Sequence, residues 1–306
     1  MIGSRRWGRF AGTRGAQAAK ETLLACLRYR VTGLAAEAAF FTVLSLPPLI
    51  FGLAGAIGFV ASAFDVAAVA NLQAQVLAVA RRVLTEDIVN TILAPTLENV
   101  LSQGSAAVVS IGFLVALWSG SRAVNVFVDT ITIMYGLAGR RGFVQTRLLS
   151  FVFYLVLVVL GVVLVPLVLA GPGFVQRVLP ERLEFLGALY WPVVLLGAGV
   201  FLAGVYDRSV PLRTRLRSGL PGAALALLIW VLGSVLLRVT LSASTGSSTI
   251  YGPLAAPIAV LIWLYVMALA VLVGAAFNAA ADQLWPGLTG IDPAEEDHDV
   301  DTRLVS

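Results

Sequence analysis

A carboxylate, Glu37, and a guanidinium, Arg122, stand inside two separate apolar runs of this chain, each long enough to cross a bilayer. Charges at membrane depth are costly and need a partner or water, so each marks a candidate site. Together they could form an ion pair, pass a proton or grip a charged solute. Small polar residues accompany them. Ser45 follows Glu37 in the first run; Ser119, Ser121, Asn125 and Asp129 surround Arg122 in the second; Asn278 lies in the last apolar run.

The rise of a helix sets their depths. With the first run starting near Val31 from one side and the second near Ala106 from the other, Glu37 lies roughly 9 Å in and Arg122 roughly 24 Å along a core about 30 Å thick. These depths are similar, so Glu37 and Arg122 are expected to approach each other. The contact serves either as a structural ion pair that fixes helix register or as a substrate or proton site.

Other chemistries find little support. The single cysteine, Cys26, allows no internal disulfide, and the single histidine, His298, lies in an acidic tail, so no metal site is expected. A nuclease needs clustered metal ligands or acid–base partners, and no such cluster is present. No phosphate-binding loop of the G-x-x-x-x-G-K-[ST] type occurs. We therefore expect neither enzyme activity nor a cofactor, and no nucleic-acid partner. The arginines 213, 215 and 217 follow ordinary charge placement around membrane spans.

The elements that hold these residues follow from hydropathy. The chain has 306 residues, of which 59% are hydrophobic and 12% charged, and its mean hydropathy is +0.91. An all-α, polytopic membrane protein is expected, with six spans near 31–59, 105–126, 148–170, 185–206, 219–240 and 253–281. Segment 1–30 carries seven Lys and Arg, loop 137–147 three and loop 207–217 four, whereas the alternate loops together carry four. The positive-inside bias then puts both termini in the cytoplasm of a bacterial cell, with the chain crossing its plasma (inner) membrane.

Three segments divide the chain: a basic amino-terminal segment 1–30, a membrane domain 31–281 and an acidic, disordered tail 282–306. Within the membrane domain, the outer loop 65–104 repeats Val66, Val69, Val76, Val79 and Val83 near helical spacing and reads as amphipathic helix, divided near Pro95. The first and last spans are expected to be broken. Pro47 and Pro48 remove two N–H donors inside the first, and Gly252 and Pro253 open the last. Broken backbone at membrane depth is tolerated only against protein or a wet cavity.

Three patches resemble the YihY/BrkB family, historically labelled ribonuclease BN. They are Ala38-Ala39-Phe40-Phe41 through Pro47-Pro48-Leu49; Trp118-Ser119-Gly120-Ser121-Arg122-Ala123 followed by Tyr135 and Arg140-Arg141-Gly142-Phe143; and Tyr251-Gly252-Pro253-Leu254 through Trp263-Leu264-Tyr265 to Phe277-Asn278-Ala279. The resemblance implies a polytopic inner-membrane protein, described in relatives as a transporter or as a virulence and serum-resistance factor. Many members carry an acidic residue where this chain has Ala276, so if that carboxylate serves a proton or substrate in relatives, this chain either lacks the activity or uses Glu37 or Asp282 instead.

Two functions follow from the residues. The first is a transporter or exporter of an unidentified, amphipathic or lipid-linked anionic solute, moved past Glu37, Ser45, Arg122, Asn125 and Asn278. The second is a non-transport scaffold or envelope-assembly factor in which the same residues lock helices together. The lipid bilayer is the partner in either case; the sequence fixes no oligomeric state.

Overall fold

The computed structural model describes residues 4–62, 89–95, 106–178, 185–211, 216–244 and 252–285, with isolated positions between 63 and 88. These residues are helical throughout the long elements, with no strand among them. The long helices are α1 (Ser4–Arg28), α2 (Val31–Ser62), α3 (Ala106–Met134), α4 (Phe143–Val178), α5 (Phe185–Ser209), α6 (Leu216–Ser244) and α7 (Gly252–Leu284). Among the described residues, the six from α2 to α7 are long and apolar enough to span a membrane.

Several boundaries depart from the sequence reading. The basic segment 1–30, for which the sequence reading named no secondary structure, holds helix α1. It packs on α7, with Ala18 and Thr22 buried and Leu23, Leu24 and Leu27 left exposed. Helix α3 continues to Met134, beyond the expected end at residue 126, which places Asp129 inside it. Most of the expected outer helical loop, 65–104, lies outside the described residues; those within it are helical, at positions 74, 77, 78, 81 and 86, in a π-helical turn at Val89–Leu93 and at 94–95. The acidic run 292–301 lies outside them too.

The expected proline breaks also take another form. Helix α2 runs through Pro47 and Pro48 without interruption. Each proline removes one rung of the i→i−4 ladder, but the turns on either side remain bonded and the neighbouring helix α3 covers the stretch. A Cβ on Gly112 of α3 would lie 3.8 Å from the Pro48 carbonyl oxygen. Nearby hydroxyls bond within the helix, Thr42 Oγ1 to the Ala38 carbonyl at 2.8 Å and Ser45 Oγ to that of Thr42 at 2.7 Å. At the other end, Gly252 and Pro253 are the first two residues of α7. A first-turn N–H has no intrahelical partner, so Pro253 starts a helix rather than breaking one.

Helix α2 packs most extensively on α3 and α7, α7 on α6, and α5 on α6. Small side chains make these approaches close. Ala35 and Ala38 of α2 meet Ala275, Ala276 and Ala279 of α7 in one buried cluster that also takes in Tyr206 of α5. Hydrocarbon solvent gives no hydrophobic drive between spans, so contact of this closeness supplies the attraction through van der Waals packing. Backbone meets backbone at the crossing of α6 on α7, where a Cβ at Gly222 would fall on the Gly274 carbonyl oxygen and one at Gly274 on that of Gly222.

The α3–α4 connection is fixed by backbone chemistry. Gly136, with φ +72°, follows α3; its N–H bonds to the Ile133 carbonyl at 3.0 Å and that of Leu137 to the Thr132 carbonyl at 3.1 Å. This 6→1 and 5→2 pattern is a Schellman cap, which needs a left-handed residue at that point. It turns the chain toward Arg141 and the start of α4.

Substitution of Gly222 or Gly274 by Ala is expected to lower stability by about 2 kcal/mol or more, because the added methyl first meets the facing backbone carbonyl and then the buried side chains of Asn278 or Tyr206. Gly204→Ala in α5, where nothing lies within 4 Å, is the matched control and should melt like the parent. Thermal unfolding of the detergent-solubilised variants separates the two cases.

Candidate functional site

The α2–α3 interface carries the charges. Nη2 of Arg122 donates to Oε1 of Glu37 at 2.9 Å, and the same guanidinium sits 5.6 Å from the centre of the Phe41 ring. Both members keep contact with the surroundings, at 41% side-chain exposure for Arg122 and 36% for Glu37. They line a cleft of about 260 Å³ together with Tyr29, Asn125, Asp129 and Thr130. The pair is therefore neither dry nor fully solvated. The charged lining is two carboxylates against one guanidinium, a balance that does not by itself attract an anion.

The other expected site residues are largely committed to the protein. Asn125 uses its amide nitrogen on Asp129, and its Oδ1 accepts from Ser150 Oγ of α4 at 3.3 Å. Ser119 Oγ donates to the Val115 carbonyl at 2.7 Å and Ser121 Oγ to that of Trp118 at 3.0 Å, each one turn back along α3. Ser45, Ser119 and Asn278 do not line the cleft. All three are buried.

Asn278 has its own place at the α6–α7 crossing. Its Oδ1 accepts from the Gly222 N–H at 2.7 Å and its Nδ2 donates to the Gly219 carbonyl at 3.1 Å. Pro221 lies between these two residues and lacks an N–H, so the helix ladder is weakened at this point. The Asn278 amide adds an acceptor and a donor to this turn from across the interface. Gly252, Pro253, Pro47 and Pro48 sit in helices, as described above, and none lines the cleft.

Three side chains matter more than charge counting suggests. Arg141 donates to the carbonyls of Arg208, Ser209 and Val210 at 3.0, 2.9 and 3.3 Å, satisfying the free end of α5. Its place in a basic loop gave no hint of that cap. Asp282 lies near the end of the last span with both carboxylate oxygens buried, beside the Tyr135 hydroxyl. Tyr135, just past the end of α3, is raised above the usual phenol range by burial first and then by the Asp282 charge. Only spatial proximity joins these two, since 147 positions separate them in the chain. Ala276, the position at which a carboxylate was expected from resemblance, is completely buried among small apolar residues.

Residues 24–299 match the family described as Virulence factor BrkB. The chain belongs to that family. It is also similar to the ribonuclease-like protein YfkH of Bacillus subtilis (strain 168), at 28% identity over 255 residues, which are 80% of this chain and 87% of that protein. No solved structure matches. This BrkB-family chain spans the membrane several times by its six apolar helices. Among its described residues, no group of three His, Cys, Asp or Glu side chains is placed to hold a metal ion.

Arg122→Ala should reduce the folded fraction, by leaving Glu37 unpaired, and adding Glu37→Gln should restore part of it. A double-mutant cycle in lipid nanodiscs is expected to give a coupling of about 0.5–3 kcal/mol, and additivity of the two changes would dismiss the pair as a structural element. Asp282→Asn replaces a buried carboxyl group, beside the Tyr135 hydroxyl, by a neutral side chain of the same shape, so its melting temperature should stay at or above the parent value. A fall equivalent to more than about 1 kcal/mol would reveal a partner for the carboxylate.

Proposed function

We propose that this protein acts as a non-transport scaffold or envelope-assembly factor of the bacterial plasma (inner) membrane, with both termini cytoplasmic. One observation carries the reading. The polar groups around the expected path bond to one another or to backbone: Glu37 to Arg122, Asn125 to Asp129 and Ser150, and Asn278 to α6. Such bonds fix register and close the bundle. The family description, a virulence factor, supports the same direction, since it names a role in the cell and no solute. In this reading the partners are met through the outer segment 65–104 and the tail 282–306. The orientation rests on the excess of Lys and Arg in alternate loops.

A second reading, transport of an unidentified solute, is favoured by the half-exposed Glu37–Arg122 pair and its 260 Å³ cleft. The charge balance of that cleft supports a zwitterionic or cationic solute over a purely anionic one.

Thiol accessibility separates the readings. On a Cys26→Ser background, single cysteines at Ser45, Ser119 and Ser121 are near-isosteric replacements of residues with at most 3% exposure. A scaffold predicts that a membrane-impermeant thiol reagent leaves all three unlabelled from both sides. Labelling of Ser45→Cys or Ser119→Cys in folded protein would establish a wet path and return the function to transport. The parent Cys26 thiol should itself react slowly at neutral pH, because burial raises its pKa and reduces the thiolate fraction.

A further inference from the structure

A second cavity lies against α3, and it opens toward lipid. The starts of α4 and the middle of α3 form a trough of about 670 Å³, within the size range of small-molecule sites, roughly 300–1,000 Å³. Its walls are Leu114 and Trp118 of α3 with Phe143, Val144, Leu148 and Phe151 of α4. Most of these are strongly exposed, Phe143 at 83% and Val144 at 75%, on two helices that both cross the membrane. Hydrocarbon is therefore their ordinary surroundings.

One residue in the trough does not suit hydrocarbon. Arg147 is a lining residue, and the trough contains no carboxylate. Its guanidinium donates to the Trp118 carbonyl at 3.4 Å, and no carboxylate of the described residues lies within ion-pair distance of it. Asp129 and Arg122 on α3 act on it across space with opposite signs, while Asp129 takes the amide of Asn125 and Arg122 pairs with Glu37. A guanidinium beside a lipid-facing apolar wall requires a counter-anion, and the phosphodiester of a phospholipid is the anion always present there.

The depth agrees. Arg147 lies four residues into α4, about 6 Å from its start, next to the basic loop that holds Arg140 and Arg141. That is where headgroups meet a span end, and basic pockets between spans at such positions suit anionic headgroups.

We propose that the α3–α4 trough is a binding site for one anionic phospholipid, with Arg147 holding the phosphate and an acyl chain lying along Trp118, Leu148 and Phe151. The site is separate from the Glu37–Arg122 cleft and holds whether the protein is a scaffold or a carrier. It gives the family fold a specific lipid contact rather than a uniform annulus.

Native mass spectrometry of the whole chain released from bilayers of equal phosphatidylglycerol and phosphatidylcholine tests the site. The parent should retain one phosphatidylglycerol in preference to phosphatidylcholine. Arg147→Gln should lose that lipid by about five- to tenfold, Arg147→Lys should keep an intermediate amount, and Arg238→Gln, which removes an exposed arginine from another span, should behave as the parent. Val144→Phe fills the trough without touching the charge and should also displace the lipid, which covers the case in which Arg147→Gln does not fold. Equal retention of the two lipids by the parent, undiminished phosphatidylglycerol on folded Arg147→Gln or Val144→Phe, or an equal loss with Arg238→Gln would each overturn the proposal.

Discussion

Within a bilayer there is no water to complete an unsatisfied polar group, and the arrangement of this protein follows from that. Each serine or threonine inside a span faces the same choice, to bond its own helix or to reach another. Ser119, Thr130 and Thr132 all bond one turn back along α3. Thr132 goes further and also donates to the Ser209 carbonyl of α5, beside the cap made by Arg141. The free end of α5 is thus sealed from α3 and from the α3–α4 loop together. A helix end that would otherwise remain open at the membrane boundary becomes a joint between elements.

The same constraint explains why the prolines do not break their helices. A break exposes several backbone groups, whereas a proline inside a continuous helix exposes only the carbonyl that has lost its donor. In α6 the turn that holds Pro221 is tied to α7 by Asn278, whose amide bonds one N–H and one carbonyl of the facing backbone. This bond is possible only because Gly222 and Gly274 let the two backbones approach. Small residues and the buried amide therefore form one device, and neither would serve without the other.

Much of the architecture was legible in the sequence because hydropathy reports the solvent of a span directly. The six spans, their order and the approach of Glu37 to Arg122 all follow from apolar length and a rise of about 1.5 Å per residue. What was not legible depends on contacts between distant segments. Whether a double proline unwinds a helix is decided by what packs beside it, and α3 cannot be seen from α2. The identity of Asn278 suggested a path, yet the facing backbone of α6 determines its role. Likewise the helical state of α1 comes from packing on α7, which a composition rich in arginine does not announce.

Three charged positions on α3 and the start of α4 show how one rule gives different outcomes. Arg122 meets its carboxylate on α2 and so joins two helices; Asp129 takes the amide of Asn125, four residues before it on the same helix. Arg147 finds only a carbonyl within the protein and opens onto lipid. A guanidinium satisfied inside the bundle adds register to the fold, while one satisfied from outside must recruit its partner from the membrane. The α3–α4 face is thus the part of this bundle at which the protein's electrostatics depend on the composition of the bilayer, and the α2–α3 face is the part that does not.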